Sequence, residues 1–291
     1  MIPGQFDYVR PASMHDALRI LAEREGEAKV LSGGYSLLPL LKLRLAQPGL
    51  LVDIRDVDGL DSIVEADDEL RIGGRATHRQ ILEDPTVRAG YPLLTDAASG
   101  IGDPQVRNWG TIGGSCAHAD PSADWPAVLL ATRASVVCRS STGERVVAAK
   151  DFFVDTFQTA LEPTELLTEV RIPRWPKGTG GAYAKLERRA GDFSTVGCAA
   201  MVLIGADGRI ADAGIGLTAV AETPFASATA VAALVGAEPT EATFRAAGAA
   251  AAAESRPAKD GHGPVDYKRA MTEEMTVRAL RSAVKRALEQ R

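Results

Sequence analysis

The sequence predicts an α+β protein, and three observations carry that prediction. A brief strand, Lys29-Val30-Leu31, runs straight into Ser32-Gly33-Gly34-Tyr35-Ser36 and then into an apolar helix over 37–45. Short alternating segments further on pair across tight turns, as antiparallel hairpins do. Beyond 227 the chain becomes alanine-rich yet keeps Val231, Leu234 and Phe244, enough for an apolar helix face.

Taken in order, Phe6-Asp7-Tyr8-Val9 reads as a first strand. Ser13 reads as the N-cap of a helix that aligns Ala17, Leu18, Leu21 and Ala22 on one face and ends at Gly26. In the helix over 37–45, Lys42 and Arg44 lie on the polar side, and Leu50-Leu51-Val52-Asp53-Ile54 is a strand. Ser62-Ile63-Val64-Glu65 and Glu69-Leu70-Arg71-Ile72 form a hairpin across Ala66-Asp67-Asp68. Thr77 opens a helix with Ile81 and Leu82, and Tyr91-Pro92-Leu93-Leu94 begins another that ends near Gly100. Gln105-Val106-Arg107-Asn108-Trp109 leads into a glycine-rich loop, after which a helix starts at Asp124 or Pro126. A second hairpin joins Ser135-Val136-Val137-Cys138-Arg139 to Arg145-Val146-Val147, and a strand over 166–172 stops at Pro173. The segment 174–181, rich in Pro and Gly, reads as a linker. Strands over 182–186, 196–204 and 210–218 make an antiparallel sheet, followed by helices over 227–234, 240–254 and 267–289.

The chain has 291 residues, enough for two or three domains, with 45% hydrophobic and 24% charged residues. A net charge of −5 leaves no basic footprint for nucleic acid. No apolar run approaches the ~20 residues of a membrane span, and the start shows neither a basic n-region nor an apolar h-region, so the protein is expected in the cytoplasm. Cys116, Cys138 and Cys198 are too scattered for a disulfide framework or a metal pair, and the four histidines form no i, i+4 pair. No bound metal and no catalytic acid–base pair or nucleophile is expected.

Chemistry concentrates between Gly110 and Asp124. Gly110-Thr111-Ile112-Gly113-Gly114-Ser115-Cys116-Ala117-His118-Ala119-Asp120 and Asp124 pack glycines, hydroxyls, a histidine and two carboxylates into fifteen residues. A glycine pair lets a ligand approach the main chain, and outward-facing N–H groups suit a phosphate. Ser32-Gly33-Gly34 echoes the motif 80 residues upstream, so only the fold can unite them. Each loop alone reads equally well as a tight turn. Strand, loop, helix is the order that holds an anion, but neither a Gly-x-Gly-x-x-Gly nor a P-loop fingerprint is present. Asp124 reads as a contact to a ribose hydroxyl or to loop amides, or as a helix N-cap. His118 faces pyrophosphate or a backbone carbonyl. Cys116 lacks a neighbouring base, Trp109 and Trp125 read as packing residues, and Lys185 sits in the charged run Lys185-Leu186-Glu187-Arg188-Arg189.

Together these stretches resemble a family. Ser32-Gly33-Gly34-Tyr35-Ser36-Leu37 and Thr111-Ile112-Gly113-Gly114-Ser115 with Asp120 and Asp124 are similar to the two flavin loops in the medium subunits of molybdenum hydroxylases, nearest to the aerobic carbon monoxide dehydrogenase type. Tyr183-Ala184-Lys185-Leu186-Glu187-Arg188-Arg189 and Val265-Asp266-Tyr267-Lys268-Arg269 also fit, so the resemblance covers nearly the whole chain. The chain departs from the family's pattern at Ser115, where several relatives have Asn, and at Phe193, where the carbon monoxide enzymes have a ring-side tyrosine.

The resemblance implies a vanillyl-alcohol-oxidase-type FAD domain of two α/β subdomains, 1–56 and 57–175, the larger with a mixed sheet. A C-terminal antiparallel sheet with helices would occupy 176–291. Non-covalent FAD would rest its pyrophosphate on the amides of Gly33, Gly34, Tyr35, Ser36, Gly113, Gly114 and Ser115. Ser32, Leu37, Ile101, Thr111, His118, Asp120 and Asp124 would line the cofactor, with Leu167, Lys185 and Phe193 near the isoalloxazine ring. The implied role is an electron-transfer flavoprotein subunit in a dimer of heterotrimers. The molybdenum cofactor would belong to a large partner and the 2Fe–2S clusters to a small one. Three scattered cysteines agree, because they are too few for one four-cysteine cluster. Two other readings are a standalone flavin oxidase or dehydrogenase with its own substrate pocket, and a partner-binding protein without FAD. The substrate and the electron acceptor are not written in this chain.

Overall fold

A computed structural model describes residues 2–290; Met1 and Arg291, the outer ends of the first and last predicted segments, lie outside the described residues. Three layered units follow one another. In the first, β1 (Asp7–Val9), β2 (Ala28–Leu31) and β3 (Leu50–Asp53) form a parallel sheet in the order β1-β3-β2. Helix α1 (Met14–Glu23) starts where Ser13 Oγ accepts the Asp16 amide at 3.1 Å, and buries Ala17, Leu18 and Leu21 against Leu50 and Val52. Helix α2 (Leu37–Lys42) ends sooner than the sequence predicts. Leu43 and Leu45 are exposed, so further turns would bury nothing, and short helices draw their stability from packing.

The second unit is a five-stranded sheet with helices on one side. It runs β4 (Ile63–Ala66), β5 (Glu69–Gly73), α3 (His78–Glu83), α4 (Pro85–Gly90), α5 (Pro92–Ser99), α6 (Pro104–Trp109), α7 (Ile112–His118) and α8 (Asp124–Thr132). It continues through β6 (Ser135–Ser140), β7 (Gly143–Ala148), α9 (Ala149–Phe152), β8 (Phe153–Asp155), β9 (Gln158–Thr159) and β10 (Leu166–Pro173). The sheet order is β4-β5-β10-β6-β7, and β8 pairs with β9 apart from it. Every pair in the five-stranded sheet is antiparallel, which corrects the expected mixed sheet. Helices α4 and α6, absent from the sequence reading, start at Asp-Pro steps: Asp84 Oδ1 caps Thr86 and Val87, and Asp103 Oδ1 caps Val106.

In the third unit, β11 (Thr179–Leu186), β12 (Val196–Ile204), β13 (Ile210–Thr218) and β14 (Phe225–Ala226) form an antiparallel sheet in chain order. Helices α10 (Ala228–Leu234), α11 (Glu241–Glu254) and α12 (Val265–Glu289) follow. Thr179, Gly180 and Gly181 belong to β11 rather than to the predicted linker, because α12 crosses so closely that a Cβ on Gly180 would sit 2.0 Å from the Ala283 carbonyl oxygen. On the other face the sheet receives α8, where Cβ atoms on Gly214 and Gly216 would meet the Ala131 and Ala127 carbonyls at 2.0 Å. Strand β12 is therefore buried on both faces, Ala199 toward α8 and Cys198 and Ala200 toward α12, which explains its unbroken small-apolar run. The same contact bolts α8 of the second unit to the sheet of the third.

Candidate functional site

The two glycine loops meet. Ser32 Oγ lies 3.0 Å from Thr111 Oγ1, and a Cβ on Gly33 would stand 2.1 Å from the Trp109 carbonyl oxygen. Glycine at 33 is thus required by the other loop. Gly34 has φ +82°, a left-handed conformation that glycine adopts freely. The amides of Gly33, Gly34, Tyr35 and Ser36 donate to no atom among the described residues. They are a row of free donors between β2 and α2.

The second loop differs. The predicted loop between Gly110 and Asp124 is largely helix α7, capped by Thr111, whose Oγ1 accepts the Gly114 amide at 3.0 Å. The Ile112 amide donates to Ala76 O, Gly113 to Gly74 O and Ser115 to Thr111 O. The donors expected of Gly113, Gly114 and Ser115 are therefore engaged within the protein, a correction with a packing cause. A Cβ on Gly113 would fall 2.4 Å from Gly74 O, so the turn is pressed against β5's extension. What this loop leaves free is the Ser115 hydroxyl. Leu167 closes the stack from behind, its carbonyl oxygen 2.3 Å from where a Gly74 Cβ would be.

A second cluster lies where α8 meets β11. Ala123, not Asp124, is the N-cap of α8, and the Asp124 carboxylate turns inward. Its Oδ1 accepts Tyr183 Oη at 2.6 Å and Ser194 Oγ at 2.8 Å, while Oδ2 accepts Lys185 Nζ at 3.1 Å. The cap reading of Asp124 is overturned, as is the solvated reading of Lys185, whose side chain is 8% exposed. Lys185 Nζ also donates to Gly100 O at 2.9 Å, tying in the turn that carries Ile101. Arg107 Nη1 holds that turn through Ile101 O and Gly102 O. Gly102 in turn packs on Gly191 of the loop bearing Phe193, which is half exposed. Burial pushes the Asp124 carboxyl up, opposed by the Lys185 charge and the hydroxyls. Burial, then the Asp124 charge, pushes Tyr183 well up.

Other predicted residues lie apart from these contacts. At the far end of α7, the ring of His118 packs on Phe157 at 5.1 Å, and burial lowers its pKa. Asp120 Oδ1 accepts the Ser122 amide at 2.8 Å, a local turn. Trp109 is exposed rather than packed, with the Arg55 guanidinium over its ring, whereas Trp125 is buried and donates to His78 Nδ1 at 2.9 Å. The Cys116 thiol is buried and pushed up to about 12, so it is no nucleophile. The sequence reading missed Tyr183, Ser194, His78 and Gly74. Tyr183 carried a signal: two residues before Lys185, it shares its strand face.

The donors fit a dinucleotide cofactor: a row of unoccupied amides and a free hydroxyl for phosphates, and a buried ammonium some way off for a ring. Fold and site together define a chain built to seat a phosphate-bearing cofactor between its first two units. Residues 4–175 match the FAD binding domain in molybdopterin dehydrogenase, and 181–283 match the CO dehydrogenase flavoprotein C-terminal domain. The chain is 42% identical to the carbon monoxide dehydrogenase medium chain of Hydrogenophaga pseudoflava, over 97% of this chain and 98% of that one. In the solved carbon monoxide dehydrogenase from that organism, a chain superposes with TM-score 0.95 at 43% identity, covering 98% and 99% of the two chains. In quinoline 2-oxidoreductase from Pseudomonas putida 86, a chain superposes with TM-score 0.93 at 35% identity, covering 99% and 100%. The chain belongs to the FAD-binding family of the molybdopterin dehydrogenases. It is an oxidoreductase subunit with an FAD-binding domain, of the kind that serves as the medium chain of a multi-subunit enzyme.

Proposed function

We propose that this chain relays electrons: it receives them from an iron–sulfur cluster of the small partner and delivers them to an external acceptor. When bound, FAD supplies the two-electron redox chemistry. The chain's residues bind and orient it. The free amides of Gly33, Gly34, Tyr35 and Ser36 are the single observation that carries this reading, as the natural seat for pyrophosphate. Ser115 adds a hydroxyl from the facing loop, and Thr111 staples the loops through Ser32. Lys185, held from behind by Asp124 and Gly100, presents a fixed charge toward the ring, with Ile101, Leu167 and Phe193 alongside. Leu37 follows the amide row, while His118 and Asp120 are engaged elsewhere, with Phe157 and Ser122. Substrate oxidation belongs to the large partner. Structures named for substrates as unlike as carbon monoxide and quinoline each contain a chain of this fold, which fits a subunit that does not choose the substrate. We place the working assembly as a dimer of heterotrimers in the cytoplasm, where three unpaired buried cysteines are at home.

Rapid mixing tests the relay. Substrate should reduce the flavin in the assembled complex and leave the FAD-loaded chain alone oxidised, though dithionite reduces it. Equal reduction rates in both would replace the relay with a standalone dehydrogenase. Acid precipitation should release FAD; release of FMN or of no flavin would sink the cofactor assignment.

A further inference from the structure

We propose that Tyr183 is a positioning residue that fixes the Lys185 ammonium beside the flavin, acting through Asp124 in a space that Gly197 leaves open. The proposal rests on the reading that Lys185 faces the ring. Tyr183 and Lys185 alternate onto the same face of β11, and Gly197 of β12 lies directly across from Lys185. A Cβ at 197 would stand 2.2 Å from Tyr183 Oη and 2.6 Å from Thr218 Cγ2. The absent side chain is therefore the room through which the phenol reaches Asp124. Tyr183 is held at its other end as well. Its amide donates to Asp96 Oδ2 at 3.2 Å, and Asp96 Oδ1 accepts Arg286 Nη2 of α12 at 3.0 Å. One residue thus spans from α5 to α8, with both ends on carboxylates of the second unit.

The division of labour at Asp124 gives the phenol its effect. Tyr183 and Ser194 both donate to Oδ1, which fixes the carboxylate plane and leaves Oδ2 for Lys185. A buried oxygen stripped of a donor seeks another. Without the phenol, Oδ1 competes for Nζ, the carboxylate rotates, and the ammonium is drawn off Gly100 O and away from the ring. A long, flexible side chain offers little resistance of its own. A positive charge held near a redox centre favours added electrons, so its withdrawal lowers the potential.

The experiment measures flavin content and the two-electron midpoint potential of the FAD-loaded full chain, by spectroelectrochemistry at fixed pH. Variants are Tyr183→Phe, Lys185→Met, their double, and Ser194→Ala. Tyr183→Phe should keep one FAD per chain and shift the potential negative by about a tenfold change in the reduced-to-oxidised ratio, ~30 mV for a two-electron couple. Lys185→Met should shift it at least as far in the same direction, and the double no further than Lys185→Met alone. Ser194→Ala should give a smaller shift of the same sign, and it carries the test if Tyr183→Phe does not fold. A wild-type potential in a flavin-replete Tyr183→Phe or, failing that variant, Ser194→Ala protein overturns the proposal. So does a double variant in which the two shifts add. Failure of the wild-type chain to hold FAD overturns instead the cofactor reading beneath it.

Discussion

The two Gly-Gly pairs look alike in sequence and are used for opposite physical ends. At Gly33 and Gly34 one φ is left-handed and the Trp109 carbonyl presses where a Cβ at 33 would stand, yet the amides of 33–36 are free. At Gly113 and Gly114 the backbone is helical, the amides are bonded, and the absent Cβ lets α7 rest on Gly74. The first pair exposes donors; the second gives up its donors to build a rigid wall facing them. A glycine pair therefore marks close approach of backbone, and whether its amides stay free for a ligand is decided by the neighbours.

Paired valine substitutions should separate the roles most sharply. Gly113→Val drives a branched side chain into the Gly74 backbone, and should lower unfolding free energy by about 4 kcal/mol or block folding. Gly33→Val also meets backbone, the Trp109 carbonyl at 2.1 Å from the Cβ alone, so it should cost stability too, but in the molecules that fold it should weaken FAD binding by at least roughly 100-fold, about 3 kcal/mol, beyond the loss seen for Gly113→Val. Chemical unfolding and flavin titration read the two, and equal losses in both assays would erase the distinction. Acid should strain only the wall. His78 N–H donates to Gly110 O, and burial, then Arg107, pushes the imidazole from 6.5 down to about 4. Above pH 6.5 both states are neutral. Below it the unfolded chain takes the proton first, so stability falls between about pH 6.5 and 4 by up to ~3 kcal/mol. His78→Gln, which keeps an acceptor for Trp125, should flatten that slope in pH-dependent unfolding followed by tryptophan fluorescence; an unaltered slope would clear His78.

Smaller effects sharpen the seam. Thr111→Val removes the cap on Gly114 and the link to Ser32, and should cost about 1–2 kcal/mol of stability with a matching loss of FAD affinity. Stability lost with affinity intact would show that the loops need no staple. Gly34→Ala places a Cβ at φ +82° and should cost about 1 kcal/mol. Its effect should appear in flavin affinity before thermal stability, and the reverse order would assign Gly34 to packing.

Local patterns in the sequence determined most of the elements. Ser13 caps its helix as read, and Thr77, Ser227 and Thr240, read as the first residues of theirs, are the caps that start them, because a cap needs only residues within three positions. Strand β12 and strand β13 keep their predicted bounds, since alternation and turn residues are also local. The Asp-Pro starts of α4 and α6 were equally legible and went unread. Tertiary structure alone decided the rest. Whether 113 and 114 are loop or helix depended on Gly74, some 40 residues upstream. Whether Asp124 caps α8 or bonds β11 depended on Tyr183, Lys185 and Ser194, each about 60 or 70 residues away. A carboxylate at a helix start satisfies the cap pattern in any sequence. Only burial against a sheet that brings two hydroxyls and an ammonium makes the inward bonds stronger, because there no water competes for it.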